Sequence, residues 1–153
     1  MVLDQVFLEE TIIVELESSE KDELFEEMVE AAHSVHPELD RAEAVFALNE
    51  RESKMTTGIM HSVAIPHAQV KSVKGTAGVI GISHRGIDYD SLDKAPVHLV
   101  FMMLAGENQT ERHVQILKSL ALILQKDGIV DAFLSCKTKR DVYNLLVQSE
   151  EDV

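Results

Sequence analysis

Val97-His98-Leu99-Val100-Phe101-Met102-Met103-Leu104 is the stretch on which the fold of this 153-residue chain turns. A strand with one face in water alternates apolar and polar residues, whereas an almost unbroken apolar run reads as a strand covered on both faces. Covering both faces requires elements on each side of a sheet, and helical patterns stand before and after this run. Upstream, Phe25, Met28, Val29 and Ala32 follow the i, i+3, i+4, i+7 spacing of an amphipathic helix, opened by Ser19 and Asp22 in the manner of a capping box. Asp40 with Glu43 opens a second helix, expected to run to about Asn49. Thr11–Leu16, Val63–Ile65 and Ala77–Ile82 read as further strands.

Downstream, Thr110 is placed to cap a helix carrying Leu117, Leu120, Ala121 and Leu124 on one face. Gly128 ends it, a short helix follows over Ile129–Leu134, and Thr138 with Asp141 caps a last one through Leu146. Helices, then strands, then helices predict an α/β fold: a mixed β-sheet flanked by helices on both faces, as one layered domain over residues 1–153. The sheet is expected to be mixed because the links around Ala77–Ile82 are too short for parallel crossovers throughout.

Composition narrows the function. Hydrophobic residues make up 45% and charged residues 27%, ordinary for a globular domain. No apolar run approaches the roughly 20 residues needed to cross a bilayer, so no direct membrane insertion is expected, and no cleavable leader is apparent. The single cysteine, Cys136, cannot pair internally, which fits a reducing cytoplasm. A net charge of −13 argues against nucleic acid as partner, because phosphate backbones are bound by Lys and Arg. The first thirty residues hold eleven carboxylates and only Lys21 as a base, which reads as a solvated helix face. Nothing in the chain fixes an oligomeric state.

Thr57-Gly58-Ile59-Met60-His61-Ser62-Val63-Ala64-Ile65-Pro66-His67-Ala68 carries the strongest chemical signal. Pro66 lacks a backbone donor and stops the apolar run, leaving His67 at a strand end. No Asp or Glu occurs from Ser53 through Ile87, while Lys54, Lys71, Lys74, Arg85, His61, His67 and His84 do. Such a window reads as a place suited to an anion. His113, three residues after Thr110, lies in the first turn of a helix, where the partial positive charge disfavours imidazolium and suits a neutral ring. A neutral imidazole is a competent nucleophile near pH 7. Phosphoryl transfer asks little beyond an aimed nitrogen and positive charge around the transferred oxygens. Arg51 and the hydroxyls of Thr56 and Thr57 are candidates for that stabilisation.

Other readings compete for these residues. His61, His67, His84 and His113 could form a zinc site, although no pair has the spacing of a known zinc motif and no Cys joins them. Ser62 lacks a Gly-x-Ser-x-Gly context, Cys136 has no base nearby in sequence, and no Gly-rich phosphate loop precedes a Lys-Ser/Thr pair. His33 and His36 fit the end of an acidic helix, His98 a sheet position, and His84 a turn with Arg85-Gly86.

The stretch Thr57–Ala68 resembles the active-site signature of enzyme IIA domains of the mannitol/fructose type, including the nitrogen-regulatory branch, from the bacterial phosphoenolpyruvate-dependent sugar phosphotransferase system. Three other stations, in order, are similar to the family's: Leu48-Asn49-Glu50-Arg51-Glu52, Asp93 to Phe101, and Asn108-Gln109-Thr110-Glu111-Arg112-His113. The resemblance covers nearly the whole chain. It implies that His67 takes a phosphoryl group from the carrier protein HPr, that Arg51, Thr57 and His113 surround the phosphate, and that neither metal nor cofactor is required. It also implies an onward partner, either a cognate enzyme IIB for sugar uptake or a regulatory target bound without sugar transport. The chain contains neither a IIB-like cysteine loop nor membrane segments, so it is expected to act as a separate subunit. Met60 and Ser62 stand where the family often has glycine, a residue that tolerates unusual φ.

Overall fold

The computed structural model describes every residue except His61, with Ile59 and Met60 described by backbone alone. The chain runs through α1 (Leu3–Val6), a 3-10 turn (Glu9–Thr11), α2 (Lys21–Val35), α3 (Arg41–Lys54), β1 (Gly58–Met60), β2 (Val63–Ala64), β3 (His67–Gln69), β4 (Thr76–Ile87), β5 (Val97–Ala105), α4 (Thr110–Leu124), α5 (Ile129–Leu134) and α6 (Lys139–Glu151).

β5 is the axis of the sheet. On one side it pairs antiparallel with β4, Ile80 facing Phe101. On the other it pairs parallel with both β2 and β3. Val63 faces Leu99 and His67 faces Met103, the same offset in both pairings, so β2 and β3 are two halves of one strand line. The interruption has a local cause. The carbonyl of Pro66 accepts from the Met103 N–H at 3.0 Å, but proline has no N–H to return, and the ladder loses a bond there. β1 folds back antiparallel on β2. The sheet is mixed, as the short links predict.

Alternation along β5 builds two cores. Val100, Met102 and Leu104 pack with Leu24, Phe25, Met28, Val29 and Ala32 of α2 and Ala44 and Leu48 of α3. Leu99, Phe101 and Met103 face Leu3 and Val6 of α1, Ile116, Leu120 and Ile123 of α4, Phe133 of α5, and Val142 and Leu146 of α6. Phe101 stands edge-on to both Phe7 and Phe133, at 5.8 and 5.7 Å between ring centroids. Helices therefore cover both faces of one strand, the arrangement that an unbroken apolar run demands.

Several local expectations shift. Thr11–Leu16 is not a strand: a 3-10 turn occupies Glu9–Thr11, and only Ile13 bridges to β4. Ser19 does not cap α2; its N–H and hydroxyl both donate to Glu23, and Glu20 bridges to Asp88 just before the helix. α3 runs on to Lys54, past Asn49, and α6 past Leu146 to Glu151. Gln109, not Thr110, flanks α4, and no side chain caps it. The buried stripe of α4 is Ile116, Leu120 and Ile123, while Ala121 is exposed. The caps at Asp40, accepting from Glu43 N–H, and Thr138, accepting from Asp141 N–H, form as predicted.

Candidate functional site

The site gathers where the end of α3, the β1–β2 hairpin, the start of β3 and the first turn of α4 meet. His67 is the first residue of β3, one position past the interrupting proline. Its half-buried ring lies with Nδ1 2.7 Å from the carbonyl oxygen of Ile65. A carbonyl can only accept, so Nδ1 carries the proton and the lone pair is left on Nε2. Burial pushes His67 below the ordinary imidazole range; the bond to Ile65 opposes this, and the Arg51 guanidinium adds to it. The ring is therefore neutral at physiological pH and presents one basic nitrogen.

His113, in the first turn of α4, stands with its ring centroid 5.2 Å from that of His67. Burial, and then the neighbouring His67, also hold His113 below the ordinary range. Its Nδ1 is buried and meets no hydrogen-bond partner among the described residues. Two neutral imidazoles side by side can coexist where two imidazolium ions would repel.

Arg51, in the last turn of α3, is half-buried, and its guanidinium donates to the Met55 carbonyl at 2.9 Å. Thr57 is placed differently from the expectation drawn from the resemblance. It is buried, and its hydroxyl is engaged with the Glu52 carboxylate at 2.7 Å and the Tyr89 hydroxyl at 2.7 Å. The hydroxyl thus faces inward. Thr56 accepts from the Gly58 N–H at 3.1 Å.

Glu52 escaped the sequence reading. Its side chain is only 5% exposed. It accepts from the Thr57 N–H (2.8 Å), the Thr57 hydroxyl and the Tyr89 hydroxyl (3.1 Å), and pairs with the Lys21 ammonium at 3.3 Å. Burial would raise this carboxyl, but bonds from Thr57 and Thr56 and the charge of Lys21 outweigh it and keep it below the usual carboxylate range. Tyr89, fully buried and lying under the Lys21 ammonium at 4.6 Å, has its phenol pushed far up by burial and by Glu52. Gly58 fits beside this cluster because it has no Cβ: one would lie 2.7 Å from the Tyr89 ring.

The other described histidines lie apart. His84 Nδ1 is 2.5 Å from Glu15 and its Nε2 is 2.8 Å from the Leu134 carbonyl; His98 bonds the Ser83 carbonyl at 2.8 Å. His84 lies in β4, with a bulge between Ile82 and Ile87 in place of the expected turn. His61 is outside the described residues. Among the described residues no three His, Cys, Asp or Glu side chains are grouped to hold a metal ion. The carboxylate-free window of sequence is not carboxylate-free in space: Glu43 reaches Ser72, Glu38 reaches Lys74 and Glu15 reaches His84. Among the described residues no helix is long and apolar enough to cross a membrane.

A family model described as "Phosphoenolpyruvate-dependent sugar phosphotransferase system, EIIA 2" matches residues 5–149. A fructose-specific EIIABC component of Bacillus subtilis is 34% identical over 99% of this chain, which spans only 24% of that relative's length. A fructose-specific EIIA component of Haloferax volcanii is 35% identical over 73% of each chain. A nitrogen regulatory protein of Pseudomonas aeruginosa is 28% identical over 95% of this chain and 94% of its own. Among solved structures, nitrogen regulatory protein IIA-Ntr from Neisseria meningitidis superposes with a TM-score of 0.88 at 27% identity, covering 95% of this chain and 99% of its own. The complex of IIA mannitol with phosphorylated IIB mannitol from Escherichia coli shares the fold, with a TM-score of 0.77 at 21% identity over 94% of this chain and 99% of the matched chain.

Proposed function

Because this chain belongs to the EIIA 2 family of the phosphoenolpyruvate-dependent sugar phosphotransferase system, we propose that it carries a phosphoryl group on Nε2 of His67. The donor is a phosphohistidine of an HPr-like protein, and the acceptor is a cognate enzyme IIB in sugar uptake. The observation that carries this reading is the bond from His67 Nδ1–H to the Ile65 carbonyl, which leaves Nε2 as the ring's one basic atom.

In the reaction the donor's P–N bond breaks as the Nε2 lone pair forms a new one, so the group moves between nitrogens of similar leaving ability. The ring gains positive charge while Nδ1–H stays in place, and its bond to Ile65 strengthens as the donor becomes charged. Arg51 and His113 flank the transferred oxygens. Positive charge and donors there stabilise a loose transition state without a metal. Thr57 serves by holding the loop rather than by touching phosphate, since its hydroxyl is engaged by Glu52 and Tyr89.

A second reading, a nitrogen-type regulatory switch that binds other proteins according to its phosphorylation state, is supported by the likeness to IIA-Ntr over nearly the full length of both chains. Both readings share the chemistry at His67.

Incubation with phosphoenolpyruvate, enzyme I and HPr should add one acid-labile, base-stable phosphate, and His67→Ala should abolish it. Full labelling of the His67→Ala chain would overturn the assignment. Transfer onward to a purified enzyme IIB then separates the transport reading from the regulatory one.

A further inference from the structure

We propose that Glu52 is a positioning residue for His67 and Arg51, acting through Thr57. This rests on the reading of His67 as phosphoryl acceptor. The connection is a chain of hydrogen bonds. The Glu52 carboxylate fixes Thr57 by its N–H (2.8 Å) and its hydroxyl (2.7 Å). The Thr57 carbonyl then accepts from the Ile65 N–H at 3.2 Å. The Ile65 carbonyl in turn accepts the His67 Nδ1–H at 2.7 Å, the contact that selects the ring's tautomer.

A second branch leaves from the same carboxylate. Glu52 and Thr57 close the turn that follows α3, and the Met55 carbonyl inside that turn takes the Arg51 guanidinium at 2.9 Å. One buried charge therefore sets both the ring that receives the group and the cation beside it. Lys21 from α2 and Tyr89 from beyond β4 hold the carboxylate from the far side, at 3.3 and 3.1 Å. The anchor thus spans three separate parts of the chain.

Stability alone does not account for such a cluster. Well-packed apolar residues usually stabilise a buried site at least as well as an ion pair does. What fixed donors and acceptors add is direction, and small displacements of reacting groups are costly to rate.

The test compares the full chain with Glu52→Gln, which keeps the shape and removes the charge. Nitrogen-15 spectra of the imidazoles, recorded where His67 is neutral, report its tautomer directly. In the natural chain Nδ1–H is expected to dominate. In Glu52→Gln the population should move toward Nε2–H, and phosphate uptake from phospho-HPr should slow by about tenfold or more. An unchanged tautomer, even with a lowered melting temperature, overturns the proposal and leaves Glu52 a merely structural residue. If Glu52→Gln does not fold, Tyr89→Phe removes one donor and keeps the carboxylate; it should shift the tautomer in the same direction by less, and no shift there overturns the proposal equally. If the natural chain takes up no phosphate at all, the acceptor reading fails, while the tautomer comparison still decides whether Glu52 positions His67.

Discussion

The two walls of the site are built by different means. The wall from α3 and β1 rests on one buried carboxylate with four donors converging on it, from Thr57 twice, Tyr89 and Lys21. The wall from α4 rests on a helix start with no side-chain cap and a buried imidazole nitrogen without a partner among the described residues. The first is fully hydrogen-bonded before any reaction begins. The second keeps hydrogen-bonding capacity near the His67 ring. On the proposed reading, a carrier that accepts and releases a group would use one wall to hold geometry and the other to respond to charge.

That contrast can be broken most forcefully at Glu52. Glu52→Ala removes the partner of the Lys21 ammonium and of the Thr57 N–H and leaves the Thr57 and Tyr89 hydroxyls with only each other, and should lower unfolding stability by about 3 kcal/mol in a denaturant titration. A loss below about 1 kcal/mol would mean that this wall is no more organised than the other. His113→Ala tests the opposite wall and should show its effect in rate: phosphate uptake slowed about tenfold, with an unfolding midpoint close to that of the natural chain. Should both variants mainly unfold the protein, the division of labour disappears.

A smaller effect sharpens the picture of the hairpin that joins the first wall to His67. Ser62 has φ of +68°, in the left-handed region that side chains avoid. Ser62→Gly should stabilise the chain by about 0.5–1 kcal/mol, after allowing for glycine's freedom in the unfolded state. The smallest effect lies outside the site, at His84. Both ring nitrogens face acceptors, the Leu134 carbonyl and Glu15, so only the imidazolium satisfies both, and its pKa is raised by those bonds. Its contribution is complete below the ordinary histidine pKa and is lost as pH rises through the raised folded value. His84→Asn should flatten a shallow decline in melting temperature over that interval, shallow because the pair is exposed.

What could be read from the sequence follows the range of the interactions. Asp40 with Glu43 and Thr138 with Asp141 act across three residues, and both caps formed where their spacing placed them. The double-sided burial of Val97–Leu104 is written in its own composition and fixed the layer order. Ser19 failed as a cap because Glu20 is drawn into a bridge with Asp88, far along the chain. Thr11–Leu16 has strand-like residues but only a single bridging position against β4. Glu52 was invisible for the same reason: Lys21 and Tyr89 lie 31 and 37 positions away in sequence, and nothing local marks a carboxylate that will be buried. The placement of His67 at a strand start and of His113 in a helix's first turn was legible because a proline and a helix start mark them locally. The inward turn of Thr57 was not, since it depends on Tyr89.

The outward edge of the strand line at Ile65 has one more consequence. Its N–H is taken by the Thr57 carbonyl and its own carbonyl by the His67 ring, so neither backbone group is open to a strand from another molecule. A strand from another molecule, or from a second copy of the chain, therefore has no backbone group to pair with at that point.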